Sequence, residues 1–252
     1  MTKAALQFEE VSFGFPGEAE LFKDIQLHIN AGEFVSIIGA SGSGKSTLFK
    51  LTVGLEEPSA GVIKLGGEKT SRRLGSVGYM PQQDLLLPWR TVMDNAALPL
   101  ELKGQKKEEA RKQVQSLLDE FGLKGSEEKF PSQLSGGMKQ RVSFLRAVLS
   151  GSPLLLLDEP FSALDAITKM AMQEWLLKRW ESRDLTIAFI THDVDEALFL
   201  SDRVYVLIEK PVKYLKEVRV PLGRPRTIED LYSPIMVEKK RVLLNELRPA
   251  IE

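Results

Sequence analysis

A glycine- and serine-rich stretch near the start of the chain carries residues suited to phosphate chemistry. Residues 39–46 read GASGSGKS and fit the pattern G-x-x-x-x-G-K-[ST]. Glycines allow successive backbone N–H groups to turn toward phosphate oxygens, and the helix after such a loop directs its positive end at the same anion. We expect Lys45 to reach the β- and γ-phosphates of a nucleotide, and the Ser46 hydroxyl to ligate Mg²⁺. The nucleotide-binding positions predicted here are Gly39, Ser41, Gly42, Ser43, Gly44, Lys45, Ser46 and Thr47.

An acidic pair follows a run of leucines in the second half of the chain. Residues 154–157 are all leucine and lead directly into Asp158 and Glu159. Ligands bind at the C-terminal ends of strands in open α/β sheets, so we expect Asp158 to ligate the metal. Glu159 is placed to act as general base on an attacking water. The alternative is that one of the two is a helix cap or a solvated charge, but behind a phosphate-binding loop the pair favours nucleotide hydrolysis.

Strand and helix patterns surround both groups of residues. Residues 33–39 form an apolar run bounded by glycine and predict a buried strand before the loop, while residues 45–55 have the apolar spacing of a helix. Residues 154–158 and 185–190 also predict buried strands, and residues 167–181 predict a helix between them. Alternating strands and helices are typical of an α/β fold with a parallel sheet.

The remaining segments predict smaller elements. Residues 4–30 alternate apolar and polar side chains and indicate short strands joined by a turn at Pro16-Gly17. Residues 92–122 predict helix interrupted at Gly104, with an amphipathic second part. We further expect short strands over 61–80, a helix over 136–151, two short strands from about 203, and a helix near 235–247.

Composition narrows the class of protein. The chain has 252 residues and a formal net charge of −1, so bulk electrostatics give no case for nucleic acid as a partner. It contains no cysteine, which excludes disulfides, thiolate metal sites and a cysteine nucleophile. We find no secretion signal and no apolar run of membrane-spanning length, so we expect a soluble chain whose membrane role, if any, comes through a partner.

Three further motifs point to a family. Residues 134–141 read LSGGMKQR, residues 162–165 read SALD, and His192 lies in THD after a strand-like run. With these motifs in this order, nearly the whole chain resembles the ATP-binding subunit of an ABC transporter. The resemblance implies an α/β fold: a P-loop NTPase (RecA-like) core, an N-terminal antiparallel β subdomain and an inserted α-helical subdomain. It also implies one ABC ATPase domain over 1–252, with the helical subdomain at about 84–150 and a short C-terminal extension at about 210–252.

The resemblance assigns roles to residues outside the phosphate loop. In that family two chains sandwich two ATP molecules, so Ser135, Gly136 and Gly137 would bind the γ-phosphate of ATP held by a second copy of the chain. Asp165 resembles the aspartate that couples the two sites. His192 resembles the histidine that contacts the γ-phosphate.

Two of the implied assignments leave alternatives open. Gln82 resembles the glutamine that touches Mg²⁺ and the attacking water, and Gln83 is its alternative. Phe15 resembles the aromatic residue that stacks on adenine, with Phe13 as the alternative. The second histidine, His28, lies in a strand-like stretch far from any motif, and we expect it to be structural or exposed.

Finer features resemble one branch of the family. Met138 stands where the commonest signature has glutamine, and LLLPWRTVMDN, DAITKMAMQEWL and RVPLGRPR resemble the nitrate/sulfonate/taurine importers and uptake systems for thiamine precursors. This resemblance implies a membrane permease and a solute-binding protein as partners, and a peripheral location on the cytoplasmic side of the membrane. Trp89 would lie where the permease docks, either as an exposed anchor or as a buried core residue.

Two other functions are alternatives to the importer. A stand-alone exporter ATPase usually carries Glu where Met138 stands. A soluble ABC ATPase acting on nucleic acid usually carries coiled-coil insertions or two ATPase domains, whereas this chain has one phosphate loop and one signature. The sequence therefore favours the importer hypothesis.

Overall fold

The computed structural model describes residues 3–70, 73–181 and 185–248. The chain forms two compact units. The first comprises Met1–Ser76 and Asp184–Glu252, and the second comprises Val77–Arg183. The candidate site residues are divided between them, so each group is described within its own unit.

An antiparallel sheet opens the first unit. It contains β1 (Ala4–Phe13), β2 (Phe22–Asn30), β4 (Ala60–Leu65) and β5 (Glu68–Lys69), in the order β2-β1-β4-β5. Along β2, buried and exposed side chains alternate, because successive side chains of a strand point to opposite faces. The turn predicted between the first two strands is present at Pro16-Gly17.

A parallel group of strands carries the phosphate loop in the same unit. Here β3 (Phe34–Gly39) pairs in parallel with β8 (Thr186–Ile190) and β9 (Arg203–Leu207), and β10 (Lys216–Arg219) pairs antiparallel with β9. The three parallel strands are buried at every position, as expected for strands covered on both faces. Three helices of this unit are α1 (Lys45–Val53), α6 (Val194–Leu200) and α7 (Pro234–Leu247).

The second unit combines a parallel strand pair with helices. Strand β6 (Gly78–Met80) pairs with β7 (Leu154–Asp158). The helices are α2 (Val92–Leu102), α3 (Lys107–Gln115), α4 (Gly136–Leu149) and α5 (Ala166–Glu181). The rings of Phe144 on α4, Trp175 on α5 and Phe121 pack against one another, with centroids 4.6–5.7 Å apart.

One predicted helix ends earlier than the sequence suggests. Helix α3 stops at Gln115, and residues 116–122 form turns. The Ser116 hydroxyl donates to the carbonyl of Gln113, a local bond of the kind that competes with helix continuation. Leu118 and Phe121 are still fully buried, which explains why the apolar spacing continues past the helix end.

These elements agree with the predicted α/β fold class. The limits predicted for the helical subdomain, 84–150, and for the C-terminal extension, 210–252, stay predictions. Among the described helices, none combines the length and hydropathy that a membrane span requires.

Candidate active site

The phosphate loop joins the end of β3 to the start of α1. Gly44 has φ +101°, and a Cβ built there would lie 2.8 Å from the Phe22 ring, so no larger residue fits without rearrangement. A Cβ on Gly39 would approach the Ser43 Oγ to 2.8 Å and the Leu207 carbonyl to 2.9 Å. The glycine pattern is therefore required by backbone conformation and by close approach of neighbouring atoms.

The loop has the properties of a phosphate-binding site. Gly44 makes no side-chain cap to α1, and the first turn carries no acidic residue, so the positive end of the helix is left for an anion. Lys45 is buried, and its Nζ donates to the carbonyls of Gly39 (2.8 Å) and Ala40 (2.9 Å). The Ser43 Oγ is buried and has no hydrogen-bond partner among the described residues. These groups fit a nucleotide's phosphates.

His192 lies at the same sheet edge as this loop. Ile37 of β3 is opposite Ile190 of β8, so the C-terminal ends of the two strands are adjacent. His192 is exposed and precedes α6, whose first turn is capped by Asp193 through the N–H groups of Asp195 and Glu196. The predicted placement of His192 beside the loop strand is therefore present.

The aromatic alternatives differ in burial. Phe13 is only 5% exposed, whereas Phe15 is half-buried and packs edge-on against it at 5.0 Å. Phe15 is thus the one with surface left for a base, and its role toward adenine stays a prediction. His28 is exposed on β2, and its backbone carbonyl accepts from Arg203 and Tyr205.

In the second unit, the acidic pair stands at the end of β7. Asp158 is 1% exposed. Burial, together with the negative charge of Asp158, raises the pKa of Tyr79 to about 12. Mg²⁺ binds carboxylate, hydroxyl and amide oxygens. The side chains of Asp158 and Gln82 in this unit, and of Ser46 in the first unit, therefore have the chemistry of Mg²⁺ ligands.

Glu159 has an unusual backbone. It is one of few described non-glycine residues with positive φ, at +51°, in the left-handed region. Strain of this kind costs on the order of 1–3 kcal/mol and is concentrated at functional sites. The Gln82 Nε2 donates to the Glu159 Oε2 at 3.3 Å, so the structure brings together two of the three predicted catalytic residues. Gln82, and not Gln83, makes this contact.

The signature residues form the exposed start of α4. Ser135 caps the helix, and its Oγ accepts from the Met138 N–H at 3.3 Å. A Cβ on Gly136 would meet nothing within 4 Å, whereas one on Gly137 would lie 3.0 Å from the Ala163 carbonyl. Downstream, exposed Asp165 accepts from the N–H and hydroxyl of Thr168, which hold its pKa below the ordinary value.

A family model described as "ABC transporter" matches residues 22–162. The chain belongs to this family. Among similar relatives is the formylaminopyrimidine import ATP-binding protein ThiZ of Halalkalibacterium halodurans, 45% identical over 229 residues that cover 91% of this chain and 90% of that protein. The aliphatic sulfonates import ATP-binding protein SsuB of Bacillus cereus is 40% identical and covers 84% of this chain and 83% of its own length.

Solved ABC structures agree with the fold. The dimeric structure of a post-hydrolysis state of the ATP-binding cassette MJ0796, bound to ADP and Pi, has a TM-score of 0.78 and 30% identity. It covers 86% of this chain and all of the other. The predicted family, its importer branch and an ATP-binding ATPase are thereby confirmed, and the exporter and nucleic-acid alternatives are not favoured. The roles of individual residues stay predictions.

Two residues of α4 beyond its first turn make contacts that the sequence motifs did not predict. The buried Gln140 bonds to the segment after β7, and Arg146 donates to the carbonyls of Asp84 (2.7 Å) and Leu85 (2.9 Å). Both lie in the helix that begins with the signature, and Gln140 belongs to LSGGMKQR itself. Membership in this motif was the available signal for Gln140, whereas Arg146 lies outside the motif.

Proposed function

We propose that this ABC protein hydrolyses ATP to drive import of a small solute through a membrane permease. The observation that carries the hydrolytic part is the pairing of Gln82 with Glu159 at the ends of two adjacent strands. The Glu159 carboxylate can accept a proton from a water, and the neighbouring Gln82 amide can orient that water.

On this proposal, the phosphate loop binds the nucleotide. Its backbone N–H groups and Lys45 hold the phosphates, and Phe15 stacks on adenine. Ser46, Asp158 and Gln82 are the residues that would hold Mg²⁺. When bound, the ion neutralises charge on the phosphate oxygens.

The water that Gln82 orients then attacks the γ-phosphorus and gives its proton to Glu159, while the bond from the γ-phosphorus to the bridging oxygen breaks and ADP leaves. His192 donates a hydrogen bond to the γ-phosphate. General-base catalysis of this kind contributes about 10²–10⁴-fold to a rate. The half-exposed carboxylate of Glu159 is accessible to water.

A second copy of the chain completes each site. Ser135 and Gly136 are exposed at the N-terminus of a 14-residue helix, where an anion is favoured. We propose that they, with Gly137, bind the phosphates of ATP held by the partner copy and that Asp165 faces the interface. The dimers reported for MJ0796 support this arrangement.

The importer role extends to partners outside the chain. The two relatives described above are import ATP-binding proteins for formylaminopyrimidine and for aliphatic sulfonates, so we propose a solute of this size, delivered by a solute-binding protein. The permease would hold the ATPase at the cytoplasmic face of the membrane. Trp89 is 72% exposed and Leu85 58%, so this segment offers apolar anchors for the permease.

Glu159→Gln tests the hydrolytic role. We expect turnover to fall by at least about 100-fold while ATP binding survives, because the base is lost and the phosphate loop is intact. Light scattering with ATP and Mg²⁺ should then show a dimer. The exposed Glu174→Gln, on α5, is the matched control and should keep wild-type activity. Full activity in Glu159→Gln would remove Glu159 from its role.

Lys45→Ala tests the binding role separately. Loss of the amine should weaken ATP affinity as well as turnover, measured by equilibrium binding of a fluorescent ATP analogue. Unchanged affinity would contradict the assignment of the phosphate loop.

A further inference from the structure

The side chain of Gln140 connects helix α4 to the segment that follows β7. Its Nε2 donates to the Glu159 carbonyl at 2.8 Å and to the Ser162 Oγ at 3.0 Å. Its Oε1 accepts from the Ala163 N–H at 2.9 Å. Both N–H donors and the carbonyl oxygen of this carboxamide are therefore used, and the residue is only 6% exposed.

The carbonyl that Gln140 holds belongs to the strained residue. Glu159 has φ +51°, a conformation that persists only where neighbouring groups fix it. Ser162 supports the same carbonyl, because its hydroxyl donates to the Glu159 oxygen at 3.0 Å. Gln140 thus fixes the carbonyl directly and holds the hydroxyl that supports it.

We infer that Gln140 is a positioning residue for Glu159: its carboxamide fixes the left-handed backbone that presents the carboxylate to Gln82 and water. The inference rests on the proposed role of Glu159 as the base. It concerns the backbone, and Gln140 itself does not touch the reacting atoms.

The geometry leaves little room for movement of the carboxylate. The bond from the Gln82 Nε2 to the Glu159 Oε2 is already 3.3 Å long, near the outer limit for an N–H···O bond. If the backbone of Glu159 relaxed, this contact would be lost and the carboxylate would take several orientations. A misplacement of about 1 Å can cost about 100-fold in rate.

Two substitutions of Gln140 test the inference on the full-length protein. Gln140→Met keeps the length of the side chain and removes every hydrogen bond, while Gln140→Glu keeps an acceptor for Ala163 but loses both donors. We expect kcat for ATP hydrolysis to fall about 10- to 100-fold in each, with KM for ATP changed less than about threefold. Gln113→Glu, an exposed position on α3, is the control and should match wild type.

A double substitution separates positioning from general structural damage. If Gln140 acts through Glu159, Gln140→Met should cost nothing further in a Glu159→Gln background, measured by single-turnover hydrolysis. Additive losses, or a wild-type kcat in Gln140→Met, would overturn the inference. A fall in ATP affinity with unchanged kcat would also overturn it.

Ser162→Ala is a second test of the inference, which can be used if the Gln140 variants fold poorly. Ser162 is exposed, so its truncation should leave folding intact, yet it removes one of the two side-chain donors to the Glu159 carbonyl. We expect a twofold to fivefold loss of kcat at constant KM, and no change would count against the inference. If Glu159 is not the general base, the single variant Glu159→Gln keeps full activity, and this result is distinguishable from failure of the Gln140 inference.

Discussion

Replacement of the buried Arg226 by methionine should destabilise the first unit. The Arg226 side chain, 8% exposed, donates five hydrogen bonds to four backbone carbonyls. Three of these carbonyls, of Leu198, Phe199 and Ser201, lie at the C-terminal end of α6, where helical carbonyls lack partners within the helix. The fourth, of Leu222, accepts two of the bonds. Arg226 thus caps the helix that follows His192.

The expected loss follows from the groups left without a partner. Each buried carbonyl that loses its donor costs about 1–3 kcal/mol, and three are affected, of Leu198, Phe199 and Ser201; the Leu222 carbonyl is only partly buried and adds less. Burial, with the neighbouring Arg224 charge, lowers the pKa of Arg226 to about 10, which shows that the buried charge itself carries a cost that methionine would relieve. We therefore expect a net loss of about 3 kcal/mol in the free energy of unfolding.

Urea unfolding followed by far-ultraviolet circular dichroism measures this loss. Arg226→Met should lower the midpoint with an unchanged slope. Arg226→Lys keeps the charge but not the planar guanidinium, so its urea midpoint should lie between those of Arg226→Met and the wild type. Arg219→Met is the control, since Arg219 is 84% exposed and should change stability by less than about 0.5 kcal/mol. Equal midpoints for the Arg226 and Arg219 methionine variants would refute the reasoning.

Three further outcomes follow from the structure. Asp158→Asn should lower the pKa of Tyr79 from about 12, because burial remains while the neighbouring charge is removed; an unchanged alkaline absorbance titration would show that Asp158 does not act on Tyr79. In Glu33, burial alone would raise the pKa, but bonds from Asn30 and Arg203 outweigh it and hold the pKa below 4.5. The stability that Glu33 contributes is therefore present above pH 4.5 and is lost as the pH falls through its pKa in the folded protein. Glu33→Gln should therefore make the free energy of unfolding less dependent on pH on the acid side. An unchanged pH dependence would contradict the lowered pKa. Gly44→Ala should cost about 1–3 kcal/mol in stability and weaken ATP binding, because φ is +101° and Phe22 blocks the added Cβ, whereas Gly17→Ala, with open space around it, should cost less and bind ATP normally.

The elements around the phosphate loop were predictable because their signals are local. Strand β3, the loop and α1 follow from an apolar run, a glycine pattern and helical spacing within about 20 residues, and the structure shows each where expected. The end of α3 was not predictable by the same means. Apolar spacing continues through Phe121 because turns after Gln115 still bury their side chains, so periodicity records burial and not helix.

The candidate site was predictable in its residue types but not in its contacts. The motifs favoured Gln82 over Gln83, and the pairing of β6 with β7 shows that the Gln82 amide reaches Glu159, a contact that the sequence does not give. The left-handed backbone of Glu159 leaves no trace in the sequence, because glutamate has no preference for it. Arg226 was missed for a related reason: its partners lie 25–28 residues earlier in the chain for the α6 carbonyls.

The contacts of helix α4 give a physical reason why the signature motif extends beyond Ser135 and Gly136. Its first residues, Ser135 and Gly136, are exposed, while Gln140 one turn later holds the carbonyl of Glu159. Further along, Arg146 holds the carbonyls of Asp84 and Leu85, in the segment that follows Gln82. A rigid helix whose side chains bond both to the segment after Gln82 and to Glu159 cannot shift without disturbing at least one of them. Displacement of α4 by ligands at its N-terminus should therefore change the distance between Gln82 and Glu159, which makes that distance the quantity through which the signature would act on hydrolysis.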